Sequence, residues 1–408
     1  MNASAFRLNR EFTDGVWDRM SAPPRNAMLA ALMSSFPKGN LPSKIHFAEI
    51  AETAYWTSYG REEDHSVTVS LVYCEPEQGP EVFRFDGPIP LSARTLLKLA
   101  PAVESPRADI CVWPDGQGRL GVWGFRASKA DAVNTDLWVQ LLGPGRVLFT
   151  YEGRTEGALI ATRAVFVDPL SLLELLRPRL FNSISSVDLR PELGLRYPAL
   201  LRLARQMRSH GRGGTVLVVP EGEAWRTSIK HPIQYAGGTS FLTPELPTPV
   251  PQQLVPLEGE QALSDYLRDV LSNSRTSGNS WLEPLYEQCD RIARLTAVDG
   301  ALVMTPDRFV KCFGAKIQAV TTIPGSFPIR TAEPIEGHGW KTETLADLGG
   351  TRHQSAVQFV RDQPDSFAIV ASQDGNVTFL TKDACSDEVV AVRQAELALL
   401  YGGIGGVY

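Results

Sequence analysis

The chain has 408 residues, 43% hydrophobic and 21% charged, the balance of an ordinary globular protein with enough material for two or three domains. A net charge of −6 and a pI near 5.7 exclude a chain-wide basic footprint for nucleic acid or anionic membrane. No apolar run reaches the roughly 18 residues of a membrane span, and no signal-peptide pattern opens the chain. The five cysteines, Cys74, Cys111, Cys289, Cys312 and Cys385, are dispersed with no C-x-x-C pair. That argues for reduced thiols, against structural zinc, and for a cytoplasmic location.

The first half reads as mixed α and β. Ser66 to Tyr73 has the β-branched alternation of a strand, and Val82 to Phe85 is placed to pair with it. Leu91 to Leu99 has helical spacing. Asp109 to Trp113 and Leu120 to Phe125 flank Pro114-Asp115-Gly116-Gln117-Gly118, a hairpin signal. Further strands are predicted at Leu137 to Leu142, Val147 to Tyr151 and Ala158 to Val167, then a helix from about Pro169 to Leu176. Leu200, Leu201, Ala204 and Met207 put one face on a helix over Pro198 to Ser209, and Gly213-Gly214 leads into a strand from Thr215 to Val219.

Thr243 to Gln261 carries five prolines and little periodicity, the composition of a linker. The predicted organisation is therefore an N-terminal region over 1–242, divisible near residue 150 into 1–150 and 151–242, a linker over 243–261, and a C-terminal domain over 262–408. In that last part Leu263 to Leu271 and Leu282 to Leu295 read as helices, and Leu302 to Met304 with Phe309 to Phe313 as a hairpin. Residues 318–348 form a long Pro/Gly-bearing stretch. Arg352 to Val360 is a helix with Thr351 near its N-cap, and Phe367 to Ala371 and Val377 to Leu380 are strands hinged on Asp374-Gly375. Ser386 is placed to cap a last helix reaching Tyr401. One internal echo runs helix, glycine turn, apolar strand, proline: residues 203–220 and 292–306, with His210 in the first copy where the second has Asp299.

Three strings carry chemistry. In Asp299-Gly300-Ala301, Gly300 permits close backbone approach and Asp299 offers a carboxylate for a divalent cation, although an Asp-Gly is also an ordinary turn. In Gly349-Gly350-Thr351-Arg352-His353, two glycines precede a helix N-terminus whose amides and dipole favour an anion, with Arg352 suited to phosphate oxygens and His353 a further donor. A capped helix with an exposed Arg would look the same. Ser372-Gln373-Asp374-Gly375 adds a second carboxylate, Asp374, in what is equally a hairpin turn.

In this order and spacing the three strings resemble the diadenylate cyclase (DAC) family, with its D-G-A, G-T-R-H-R and S-E-E motifs, over roughly residues 260–385. Phe313 to Ile317 also looks like a strand of that family. The resemblance implies an α+β fold with a mixed sheet of about five to seven strands flanked by helices, and condensation of two ATP into cyclic di-AMP and two pyrophosphates with Mg²⁺ or Mn²⁺. It implies self-association through face-to-face domains, because one domain holds one ATP. By position, it gives Asp299 and Asp374 the metal, and Asp299, Arg352 and His353 the catalysis. Gly300, Ala301, Gly350, Thr351, Arg352, His353 and Ser372 would bind the nucleotide.

Two departures stand out. Gln354 replaces a second Arg, and Ser372-Gln373-Asp374 replaces Ser-Glu-Glu. They leave open a degenerate module that binds ATP or a cyclic dinucleotide without turnover. An interaction scaffold, in which all three strings are turns, is a third reading. His210-Gly211-Arg212-Gly213-Gly214-Thr215, the strand after it and Trp225 resemble the sensor domain DACNV, which implies an α+β region that responds to a small ligand or protein signal and gates the cyclase.

Overall fold

The computed structural model describes residues 8–23, 38–62, 65–103, 108–127, 135–168, 175, 196–234, 282–306, 308–320, 322–383 and 386–399. They fall into two compact units that divide between Val167 and Asp168. Both are α+β.

The first unit carries helices α1 (Arg10–Ser21), α2 (Lys44–Ser58) and α3 (Ala93–Leu99). Its ten strands are β1 (Arg61–Glu62), β2 (His65–Ser66), β3 (Ser70–Tyr73), β4 (Val82–Pro90), β5 (Ala108–Pro114), β6 (Leu120–Ala127), β7 (Leu137–Gly143), β8 (Arg146–Tyr151), β9 (Arg154–Ile160) and β10 (Arg163–Val165). β1 and β2 pair alone, and the other eight form a sheet in the order β10-β9-β8-β7-β3-β5-β6-β4. Helix starts are set by side-chain caps, since the first amides of a helix have no partner within it. Asn9 accepts from Glu11 N at 2.9 Å, and Ser92 from Thr95 N at 3.1 Å. Phe12, Val16, Phe47, Ile50 and Leu96 pack on Leu71, Ile110, Val139 and Phe149 to form the core on one face of the sheet. On the other face Val72, Cys74, Cys111, Trp123 and Trp138 make a smaller cluster.

The second unit contains α4 (Arg196–Ser209), β11 (Gly214–Val218), β12 (Ile229–Lys230), β13 (Ile233–Gln234), α5 (Leu282–Leu295), β14 (Ala301–Met304), β15 (Val310–Ile317), β16 (Pro328–Ala332) and β17 (Lys341–Thr344). It continues with α6 (Leu345–Leu348), α7 (Thr351–Asp362), β18 (Phe367–Ala371), β19 (Val377–Lys382), β20 (Val389–Val392) and α8 (Glu396–Leu399). Ten strands make one mixed sheet, β12-β15-β14-β11-β18-β19-β20-β16-β17, with β13 also on β15. β11–β14 and β16–β20 are its parallel pairs.

Covered on both faces, this sheet needs apolar residues at successive positions, which is why its central strands read as unbroken apolar runs. Val216 and Val218 join Leu203, Met207 and Ile292 of α4 and α5 on one side. Leu217 and Val219 join Ala356, Phe359 and Val360 of α7 on the other. Each such side chain withdrawn from water contributes about 1.5–3 kcal/mol before entropy is counted.

Several expectations are corrected. The boundary near residue 242 does not hold, because β11 lies in the middle of the C-terminal sheet, between β14 and β18. The sheet has ten strands rather than five to seven. β4 pairs with β6 at the sheet edge, not with β3. The stretch 318–348 holds β16, β17 and α6, whose polar sequences, such as Lys341-Thr342-Glu343-Thr344, give no apolar alternation. In place of one helix after Ser386 there is β20, buried between β19 and β16, and then the short α8. The Pro-rich stretch 243–261, the helix at Leu263 to Leu271, and that at Pro169 to Leu176 apart from Leu175 lie outside the described residues.

Candidate functional site

The internal echo is physical. α4–β11 and α5–β14 stand side by side, with the two strands parallel and Thr215 opposite Ala301. Arg202 on α4 makes a two-pronged ion pair with Asp290 on α5, both contacts at 2.7 Å. Counting back two residues from Thr215 and Ala301 sets Gly213, rather than His210, against Asp299. His210 instead hydrogen-bonds Thr296 Oγ1 at 3.0 Å through Nε2. β18 runs antiparallel to β11, so the ends of three strands and the turn after β18 meet at one edge.

Gly300 shows why an Asp-Gly stands there. Its φ is +117°, and a Cβ on it would lie 2.4 Å from the carbonyl carbon of Gly314 on β15. The glycine lets two backbones touch, and Asp299 is left at the rim with its side chain 87% exposed. Its carboxylate is paired with the Lys316 ammonium on β15. Lys316, then the more distant Arg352 guanidinium, hold its pKa below the ordinary carboxylate value.

Arg352 comes from the first turn of α7. Its Nη2 donates to the Arg212 carbonyl at 3.4 Å. Its Nη1 lies 3.0 Å from where a Gly213 Cβ would be, with Ala371 O and Gln373 N on the same side. Gly213, with φ +68°, thereby makes room for the guanidinium against the β11–β18 edge. Gly350 is the N-cap of α7 and offers no side-chain cap, so no cap side chain takes up the first amides of the helix, which begins with the exposed Thr351 and Arg352. The arrangement is suited to an anion.

Other predicted site residues sit differently. His353 is buried, 9% exposed, and its Nε2 is hydrogen-bonded to Thr378 Oγ1 on β19 at 3.1 Å. Burial, then the charges of Arg393 and Arg352, push its pKa down to about 4, so the ring is neutral at pH 7. It braces the helix start, packed under Gly349, and does not present a charge to phosphate. Ala301 is 2% exposed in the core beneath the sheet and forms no surface wall. Ser372 Oγ accepts from Asn376 N at 3.1 Å, fixing the β18–β19 turn on which Asp374 is exposed. The site thus gathers Asp299, Arg352, Gly213 and the backbone at Gln373. Lys316, on β15, joins them through Asp299, a contact that sequence reasoning misses because nothing in a strand sequence says which charge meets Asp299.

Among the described residues no group of three or more His, Cys, Asp or Glu could cage a metal ion. The exposed Asp299 carboxylate is nevertheless a hard oxygen donor. It fits a Mg²⁺-type ion, which takes one or two carboxylates and completes its shell with phosphate and water.

Residues 36–127, in the first unit, match the family model described as probable sensor domain DACNV, a domain found in diadenylate cyclase-associated proteins. The residues on which the sequence resemblance to that domain rested, 210–225, lie outside the match and in the second unit. A search of the curated proteins finds no match to the chain.

Proposed function

We propose that the second unit is a diadenylate cyclase, condensing two ATP into cyclic di-AMP and two pyrophosphates, and that the first unit makes this activity conditional on a signal. The observation that carries the reading is the meeting of Asp299 and Arg352 at one sheet edge, where the guanidinium lies against Gly213, the position aligned with Asp299 on the neighbouring strand. The first amides of α7, which no side chain caps, and the Arg352 guanidinium would hold the phosphates. Asp299 would hold Mg²⁺ or Mn²⁺, which supplies charge neutralisation at the reacting oxygens. One unit has one such edge, so ring closure needs a second copy facing it, with each 3′-hydroxyl in line with the other nucleotide's α-phosphorus. The sensor match over 36–127 supports the conditional half of the proposal.

The test is incubation of the full chain with ATP and Mn²⁺, then Mg²⁺, with mass spectrometry for cyclic di-AMP. Product that disappears in Asp299→Asn, with unchanged circular dichroism, is expected. Full activity in that variant would remove the basis of the assignment. The Asp299 carboxylate, already paired with Lys316, and the neutral Gln354 favour a second reading as a nucleotide-binding module. Saturable ATP binding with no turnover under either metal would select it.

A further inference from the structure

Lys316 follows Ala315 on β15, and Ala315 is the Cα partner of Ala301, so the lysine reaches the Asp299 carboxylate across the β14–β15 pair. The hairpin does not need this contact, since the backbone ladder and the Gly300–Gly314 approach already fix it. Both side chains are open to solvent, 46% and 87% exposed. An ion pair so placed shifts an equilibrium by only about two- to fivefold. It is weak enough to be exchanged. Its location is informative, because the ammonium occupies the oxygen that a divalent cation would take. The lysine stem is flexible and carries three donors that suit a phosphate equally well.

We propose that Lys316 is the exchangeable counter-ion of Asp299: it neutralises the carboxylate in the nucleotide-free protein and moves to a nucleotide phosphate when a divalent cation takes its place. This rests on the nucleotide reading of the site. It carries a signature that a static salt bridge lacks, namely weaker nucleotide binding on loss of the lysine when metal already occupies Asp299. Removing the ammonium leaves Asp299 unopposed for a metal, and takes one positive charge from the phosphate side.

The experiment uses the full chain and two binding measurements, neither of which reads activity. Mn²⁺ alone is titrated by electron paramagnetic resonance, and 3′-deoxy-ATP, which cannot close the ring, by calorimetry at saturating Mn²⁺. Lys316→Met, which keeps the stem, is expected to bind Mn²⁺ about two- to fivefold more tightly and, with Mn²⁺ saturating, 3′-deoxy-ATP more weakly by a similar factor. Lys316→Arg keeps the charge and should show neither change. Mn²⁺ affinity unchanged in Lys316→Met, while Asp299→Asn abolishes it, would overturn the exchange and leave the metal site intact. 3′-Deoxy-ATP bound equally well by Lys316→Met and the wild type at saturating Mn²⁺ would also overturn it. Mn²⁺ binding indifferent to Asp299→Asn would instead sink the placement of the metal, and with it the proposed function.

Discussion

Neutral, buried His353 makes the stability of the second unit depend on pH, and the size of the effect follows from its surroundings. Two cations, Arg393 after β20 and Arg352 on its own helix, face a ring that is already desolvated and hydrogen-bonded to Thr378. Burial first, then the two cations, oppose a proton, hence the folded pKa of about 4 against an ordinary 6.5. Between those values the unfolded chain binds the proton and the folded one does not. Stability is therefore complete above the unfolded pKa and is lost as pH falls through the window from 6.5 to 4. From pH 7 to pH 4.5 the loss from this one group is about 2 kcal/mol. Guanidinium denaturation of wild type and His353→Gln at both pH values isolates it, because His210, whose pKa burial also lowers, contributes alike to both proteins. The variant should be the less stable at pH 7 and should lose about 2 kcal/mol less than the wild type on acidification. Equal acid sensitivity of the two proteins would refute the buried, neutral ring.

Two further substitutions test the packing that builds the site edge. Gly300→Ala should cost about 3 kcal/mol or more in thermal denaturation, combining left-handed strain with backbone overlap at Gly314. Gly314→Ala, with φ +62° and only the tip of Ile233 in its way, should cost about 1 kcal/mol, and equal losses at the two positions would contradict the close approach. Arg202→Ala should cost about 1–3 kcal/mol by leaving Asp290 without its two-pronged partner. A double-mutant cycle with Asp290→Ala showing no coupling would argue against a direct pair holding α4 to α5.

The sequence showed the elements that have a period of their own. α5 is predicted to the residue, since Leu285, Cys289 and Ile292 return on one face and are buried. The β5–β6 hairpin follows from its Asp-Gly turn, and α7 from its glycines. Pairings between strands distant in sequence were not legible, because an apolar run such as Val389-Val390-Ala391-Val392 is compatible with helix or strand until its neighbours are known. The same limit hid β11's place among C-terminal strands. Its sequence fits any sheet covered on both faces, and the Pro-rich stretch at 243–261 drew the boundary away from it. At the site, residue types were readable and directions were not. Arg352 and His353 are adjacent in one turn, yet one points to solvent and the other into the sheet.

That divergence bears on the two departures from the family pattern. With His353 neutral, the formal charge of the residues brought together at the edge is only +2, from Lys316, Arg352, Arg208 and Arg212 against Asp299 and Asp374. A triphosphate brings several negative charges, so this edge alone leaves the ligand under-neutralised, and the missing Arg at Gln354 makes the deficit larger. A divalent ion at Asp299 closes part of that gap twice over. It adds two positive charges and releases the Lys316 ammonium for the phosphates, an exchange that a purely structural salt bridge would resist. The electrostatics thus make metal and nucleotide binding mutually dependent: each should be weak alone and stronger in the presence of the other. A site that bound ATP equally well with and without Mn²⁺ would lack that coupling, and its charge would have to come from residues beyond this edge.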